Sequence, residues 1–382
     1  MTKRCATVLG VGIAGLTAAR LLSLCGWRVF LVGTIPNLGR WVTLSGQTRR
    51  LIEDFWGCET ILNATSFSLC GRRVMWSGDG ADRIDEPLLA IETSSLAKAM
   101  LHRLRVADGS AEVLHLGDGS LDPPAAIAGS VTIDARGRYG SPQNAKRVQH
   151  GARSMRVWRS LQLEKTPPFG EIFAGRGFWS FAFPIGADCI SLQIATPRRY
   201  LIAELCGVVR GGMSGEATLL TSVLKANPDI FERESNEAST APSLLVENPS
   251  PSYLPIGDAL MTLDPLCGDG IGHGIKSALI ATGVLNSMNV TVPETLALSH
   301  FVARSRFAYS THLKHCRRFY LSMKYSSCWV DDVDDDLQPV ATHTDTSMDA
   351  ASSLKLVVTG IGQNNGAAAM NPLIQLVSDR QL

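Results

Sequence analysis

Two segments of the chain place glycines at offsets that suit anion chemistry. The first is Gly10-Val11-Gly12-Ile13-Ala14-Gly15, set between an apolar run (6–11) and a stretch of helical spacing (13–25). Gly10 permits a tight turn, Gly12 lets the backbone approach a pyrophosphate, and Gly15 allows close packing of helix on strand. The start of the helix adds unpaired N–H groups and the positive end of its dipole. A second strand, WRVFLVG (27–33), follows, so the glycines sit at the first turn of a βαβ unit, the context that dinucleotide binding requires. The second segment, 255–279, reads PIGDALMTLDPLCGDGIGHGIKSAL; its Gly268, Gly270 and Ile271 open another helical pattern just after Asp258 and Pro265. A glycine-rich helix start of this kind offers N–H donors to an electron-rich ligand edge, or serves only as a helix entry.

Other residue groups are more ambiguous. Trp179, Phe181 and Phe183 alternate along a strand and so share one face, which would line an aromatic pocket or form sheet core. His312, His315 and Cys316 fall at helical spacing but lack further ligands, so no metal site is expected. Arg136, Arg138, Lys146, Arg147, Arg153, Arg156 and Arg159 form a basic run, either a receptor for NADPH, an anionic substrate or an acidic partner, or a solvated face. One expected group is missing: the acid that ends the second strand and holds an adenosine ribose falls at Gly33. Thr34 or Asn37 would have to substitute, since Glu53 and Asp54 lie too far along.

Taken together, the two glycine segments, some 245 residues apart, resemble the FAD-dependent monooxygenase and halogenase superfamily of the para-hydroxybenzoate hydroxylase type, whose late signature is G-D-A followed by D-P-x-x-G-x-G-x-x-x-A. The resemblance covers about residues 5–330 and includes the Asp134-Ala-Arg136-Gly137 turn after the strand 131–134. It implies that Asp258 binds the ribityl chain and that the Pro265–Gly274 turn lies against the isoalloxazine. The mechanism it implies is reduction of FAD by NAD(P)H or a separate reductase, addition of O2 at flavin C4a, and oxygen transfer from the hydroperoxide to an aromatic, tryptophan-like substrate. Tryptophan halogenases of this superfamily use a lysine after the second strand. Here no lysine lies between Lys3 and Lys98, which disfavours halogenation by that route. Arg72-Arg73-Val-Met-Trp76 and an aromatic-rich late helix are similar to the flavoproteins that mature tryptophylquinone cofactors, where the substrate is a Trp-containing polypeptide. An FAD-binding, chaperone-like protein without turnover is the reading from outside the enzymes.

These elements imply an α/β fold: an FAD-binding Rossmann-like domain of the glutathione-reductase type (1–140 with 245–290), an inserted β-sheet substrate domain (141–244) and a C-terminal helical segment (291–330). Between them, 43–62 reads as largely helical, 94–105 as a helix, 111–120 as a hairpin with a G-D-G turn, and 199–226 as helical. The remainder, 331–382, is polar and begins with the acidic run DDVDDD; it reads as loosely ordered. With Lys+Arg 36 against Asp+Glu 35, a general nucleic-acid binder is not expected. No apolar run reaches the roughly 18 residues of a membrane span. The nine cysteines are odd in number and lack C-x-x-C, which favours reduced thiols and a cytoplasmic location.

Overall fold

A computed structural model of the chain describes residues 4–35, 39–56, 60–63, 66–78, 80–107, 113–116, 131–138, 146–197, 207, 209, 218–233, 235–247, 249–334, 354–359 and 373–378. Apolar runs such as Ala6-Thr-Val-Leu9 and Val29-Phe-Leu31 are buried on both faces, the pattern of parallel strands covered by helices on either side. They lie in a five-stranded sheet ordered Tyr253–Pro255, Val131–Asp134, Cys5–Leu9, Arg28–Val32, Val113–Leu116, with every pairing parallel. The helices Ile13–Leu24 and Gly270–Ser287 pack together against this sheet, and the main core lies between them.

The second layer is a seven-stranded sheet with the order Asn236–Ser239, Ser154–Gln162, Cys189–Thr196, Phe178–Pro184, Phe169–Gly175, Gly71–Met75, Asp82–Ile84. Its central strands pair antiparallel, as their alternating pattern predicts, whereas Phe169–Gly175 runs parallel to Gly71–Met75. A small antiparallel sheet, Trp41–Leu44, Leu88–Glu92 and Ser66–Leu69, lies alongside. The long helix Glu294–Leu321 follows the sequence pattern closely.

Three readings are corrected. Segment 43–62 is largely helical, as Gly46–Trp56 and Thr60–Asn63, but it opens on a strand, because β-branched Val42 and Thr43 extend Trp41–Leu44 before the first helix begins. Ser45 Oγ accepts from the Thr48 amide and so starts that helix. Val113–Leu116 is no hairpin strand. It follows the helix Thr93–Ala107 and pairs in parallel with Val29–Val32, so the crossover overrides the local turn signal; the G-D-G turn itself lies outside the described residues. The polar tail contains a strand pair, Leu354–Thr359 with Leu373–Ser378, whose Leu354, Ile374 and Leu376 are buried in the main core. The pair is tied to the end of Gly270–Ser287: Asn286 Nδ2 donates to Ile374 O, and the Leu376 amide donates to Ser287 Oγ. Its two short apolar runs are separated by a polar stretch, so neither gave a periodic signal. Within 199–226, the helix Leu219–Ala226 is present; most of the preceding residues lie outside the described set. No described helix is long and apolar enough to cross a membrane.

Candidate functional site

The first glycine loop is closed by backbone at two positions and open at one. Gly10 has φ +107°, and its amide donates to Val32 O at 2.8 Å. A Cβ at Gly10 would sit 2.5 Å from Ala135 O, and one at Gly15 would sit 2.0 Å from Gly10 O. Neither position admits a side chain. Gly12 differs: it is exposed, and a Cβ there would meet nothing within 4 Å. Gly12 is the N-cap of Ile13–Leu24 and places no side chain on the helix amides, so the N–H groups of Ile13, Ala14 and Gly15 face outward without intrahelical acceptors.

The second loop is built in the same way. The turn Gly257–Ala259 carries the half-buried Asp258, and the Arg147 guanidinium holds that turn by donating to Asp258 O (3.2 Å) and Ala259 O (2.7 Å). After the turn Pro265–Cys267, Gly268 adopts φ +62°, and both Gly268 and Gly270 are exposed with open space over Cα. Asp269 is the N-cap of Gly270–Ser287, yet its carboxylate makes no capping bond and lies along the first turn instead, against Gly272. Thr48 Oγ1 donates to it at 2.8 Å and Lys276 Nζ at 2.9 Å, which leaves the helix amides uncapped by any side chain. Pro265 is half-buried in the loop, and Ile271 anchors the first helical turn in the core.

The two uncapped helix starts lie side by side. Ala14 is the seam: its methyl would be 3.0 Å from a Cβ at Gly257 and 3.4 Å from one at Gly274. Two positive dipole ends thus lie close together, with open space over the backbone at Gly12, Gly268 and Gly270, a cradle suited to a ligand with a central anionic group and a polar ring edge. His273, in the first turn of the second helix, adds a shielded Nε2 with no hydrogen-bond partner, and burial lowers its pKa. At the far edge, Gly33 ends its strand at φ +126°, Thr34 is exposed, Glu53 is taken by Arg49 on its own helix (2.7 Å), and Asn37 lies outside the described residues.

Behind the second loop is a buried ionic cluster that the sequence pattern did not mark. Arg153 Nε and Asp264 Oδ2 are 2.9 Å apart, both side chains fully buried. Tyr320 OH donates to Asp264, Trp179 Nε1 donates to Tyr320 OH, and Trp329 stacks on the Tyr320 ring at 4.5 Å. Asp264 also accepts from the Leu266 amide, and its own amide donates to His312 Nε2 at 2.8 Å. The cluster therefore fixes the start of the Pro265–Cys267 turn through Asp264. His312 and Cys316 lie together while His315 faces solvent, so the three are not assembled into one site. Among the described residues no cluster of His, Cys, Asp and Glu is placed to hold a metal ion. Much of the basic run is also engaged within the chain: Arg136, itself exposed, pairs with buried Asp134 at 2.8 Å, Arg138 donates to Ser239 O at the surface, and Arg147 and Arg153 are committed as above. A cation count along the sequence could not show this; the only signal was the shortage of acids among so many arginines.

Trp179, Phe181 and Phe183 share one face of the seven-stranded sheet but not one environment. Trp179 is sealed under Tyr320 and Trp329, and Phe183 is sealed against Leu69, Leu88 and Ala90 of the small sheet. Phe181 lies between these covers and is partly exposed, as are its cross-strand neighbours Ile172, Val74 and Gln193. This part-exposed row floors the groove left between the two covers, with Trp41 and Leu266 among the partly buried side chains bordering the flanking clusters. The structure thus assigns Trp179 and Phe183 to the core and leaves Phe181 as the accessible aromatic.

No family model and no curated protein matches the chain. Solved structures do. Over 94% of this chain and 84% of the other, it superposes with TM-score 0.70 and 19% identity on QhpG, a peptidyl tryptophan dihydroxylase essential for tryptophylquinone cofactor biogenesis. The chain has the fold of flavin-dependent monooxygenases and halogenases. The flavin-dependent brominase Bmp2 matches at TM-score 0.68 and 15% identity, covering 88% of this chain and 93% of the brominase. PqsL of Pseudomonas aeruginosa, a probable FAD-dependent monooxygenase, matches at TM-score 0.65 and 16% identity, covering 87% of this chain and 100% of that one.

Proposed function

We propose that the chain is an FAD-dependent oxidoreductase acting on an aromatic substrate, with monooxygenation as its reaction. The observation that carries this reading is the pair of uncapped helix starts joined across Ala14, bare of side chains at Gly12, Gly268 and Gly270. In this reading the amides of Ile13, Ala14 and Gly15 hold the pyrophosphate, Asp258 accepts from the ribityl hydroxyls, and the amides after Gly268 face the isoalloxazine edge. Bound FAD would supply the redox chemistry with O2, drawing electrons from NAD(P)H or a separate reductase. The protein's share is positioning. Arg147 fixes the turn that carries Asp258, Asp264 and His312 fix the turn that begins at Pro265, and the groove floor around Phe181 offers an apolar seat for the substrate ring.

A second reading, in which the ring is a tryptophan of a polypeptide, is supported by the likeness to a peptidyl tryptophan dihydroxylase and by the partial exposure of the row around Phe181. One set of measurements separates the readings. Purified protein should be yellow or bind added FAD, and Asp258→Ala should weaken that binding by about tenfold or more, the loss of a charged hydrogen bond. Oxygen consumption with NAD(P)H or a flavin reductase should rise with free indoles on the first reading, and only with Trp-containing peptides on the second. Failure to take up FAD sinks both; FAD uptake without turnover favours a binding role.

A further inference from the structure

The groove floor contains one polar side chain. Val74, Ile172, Phe181 and Gln193 occupy successive strands in one cross-strand row, and only Gln193 can form hydrogen bonds through its side chain. An amide on such a surface is costly unless its donors and acceptor are used or reach water. One end is used: Nε2 donates to Trp41 O at 3.3 Å, which fixes the side chain toward the small sheet. The carbonyl end accepts from no described residue and is not among the buried unsatisfied atoms, so Oε1 remains accessible on the part-exposed row beside Phe181. The rows on either side are closed by Trp179 with Ala195 and by Phe183 with Ser191, which leaves this row as the accessible strip of the sheet face between them among the described residues.

We infer that Gln193 is the specificity-determining residue of the groove, its Oε1 accepting a hydrogen bond from an N–H or O–H carried by the substrate ring. The preferred substrate class is therefore donor-bearing aromatics such as indoles, anilines and phenols, over ring systems of equal shape without a donor. This inference rests on the aromatic-substrate part of the proposed function and does not depend on the electron donor.

The test compares indole with benzofuran, which has nearly the same shape but no N–H, by ligand-detected NMR titration of the FAD-loaded protein. Wild-type protein should favour indole by about tenfold, the value of one hydrogen bond whose loss leaves a partner unpaired. Gln193→Met keeps the side-chain length and removes the acceptor, so the ratio should fall to about one while benzofuran binding is kept. Gln193→Leu gives a second variant should the first fold poorly, and FAD content and thermal unfolding are recorded for each. Equal wild-type affinities, or a ratio unchanged in a folded variant, would overturn the assignment. If the protein takes no FAD yet discriminates indole through Gln193, the flavin reading fails and the groove assignment stands.

Discussion

Gly12→Ala separates the fold from the ligand it is built to hold. An alanine Cβ at Gly12 meets no protein atom within 4 Å, and the residue's φ of −81° and ψ of 176° suit any L-amino acid. Alanine is a poorer N-cap than glycine by up to about 1 kcal/mol. It also removes unfolded-state freedom worth about 0.4–1 kcal/mol, so stability should change by less than about 1 kcal/mol. The same methyl projects into the space above the helix amides, where a pyrophosphate would need to approach. Pushing a tightly held group away typically costs about 1–3 kcal/mol, or about 5- to 150-fold in affinity. Fluorescence titration of apoprotein with FAD reads the second quantity, and urea unfolding reads the first. A folded Gly12→Ala variant that binds FAD like wild type would refute the cradle. Gly15→Ala is the contrasting control: its Cβ would lie 2.0 Å from Gly10 O, so it should lose folded protein before ligand binding can be measured.

Two further outcomes follow from the cluster behind the second loop. Arg153→Met should cost about 3–5 kcal/mol in urea unfolding, because it leaves a buried carboxylate unpaired, whereas Arg153→Met with Asp264→Leu should cost much less than the two single changes summed; additive losses would show that the pair is not coupled. Burial, then the nearby Arg153 charge, push the His312 pKa down to about 4. The unfolded chain binds that proton near pH 6.5 while the folded one resists, so stability should fall as pH drops from about 6.5 to 4, by up to about 3 kcal/mol. His312→Gln, which keeps an acceptor for the Asp264 amide, should flatten that part of the stability–pH curve; an unaltered slope would remove His312 as its source.

The parts of this molecule legible in the sequence are those governed by short-range pattern. The βαβ opening, the helix Thr93–Ala107, the antiparallel strands after Ser154 and the long helix Glu294–Leu321 all follow from local periodicity. Gly10 and Gly15 are legible because a turn and a close approach forbid side chains there, and the spacing alone implies it. What the sequence withheld depends on distant partners. Arg153 looks like one more cation in a basic run, and only the fold shows Asp264, 111 positions later, against it. Trp179 and Phe181 are equivalent by alternation; what covers each differs, and that is set by the long helix and the small sheet. Val113–Leu116 has the composition of a strand but carries no mark of which neighbour it will pair with.

The strand pair at 354–378 ties the cradle to the order in which the chain is made. The helix that begins at Gly270 abuts Ala14 at one end and is clasped by Ile374 and Leu376 at the other. A ribosome that has released residues 1–330 has delivered both glycine loops, yet the far end of the second helix still lacks its cover. The second helix is therefore fully packed only once residues 354–359 and 373–378 are in place against its far end.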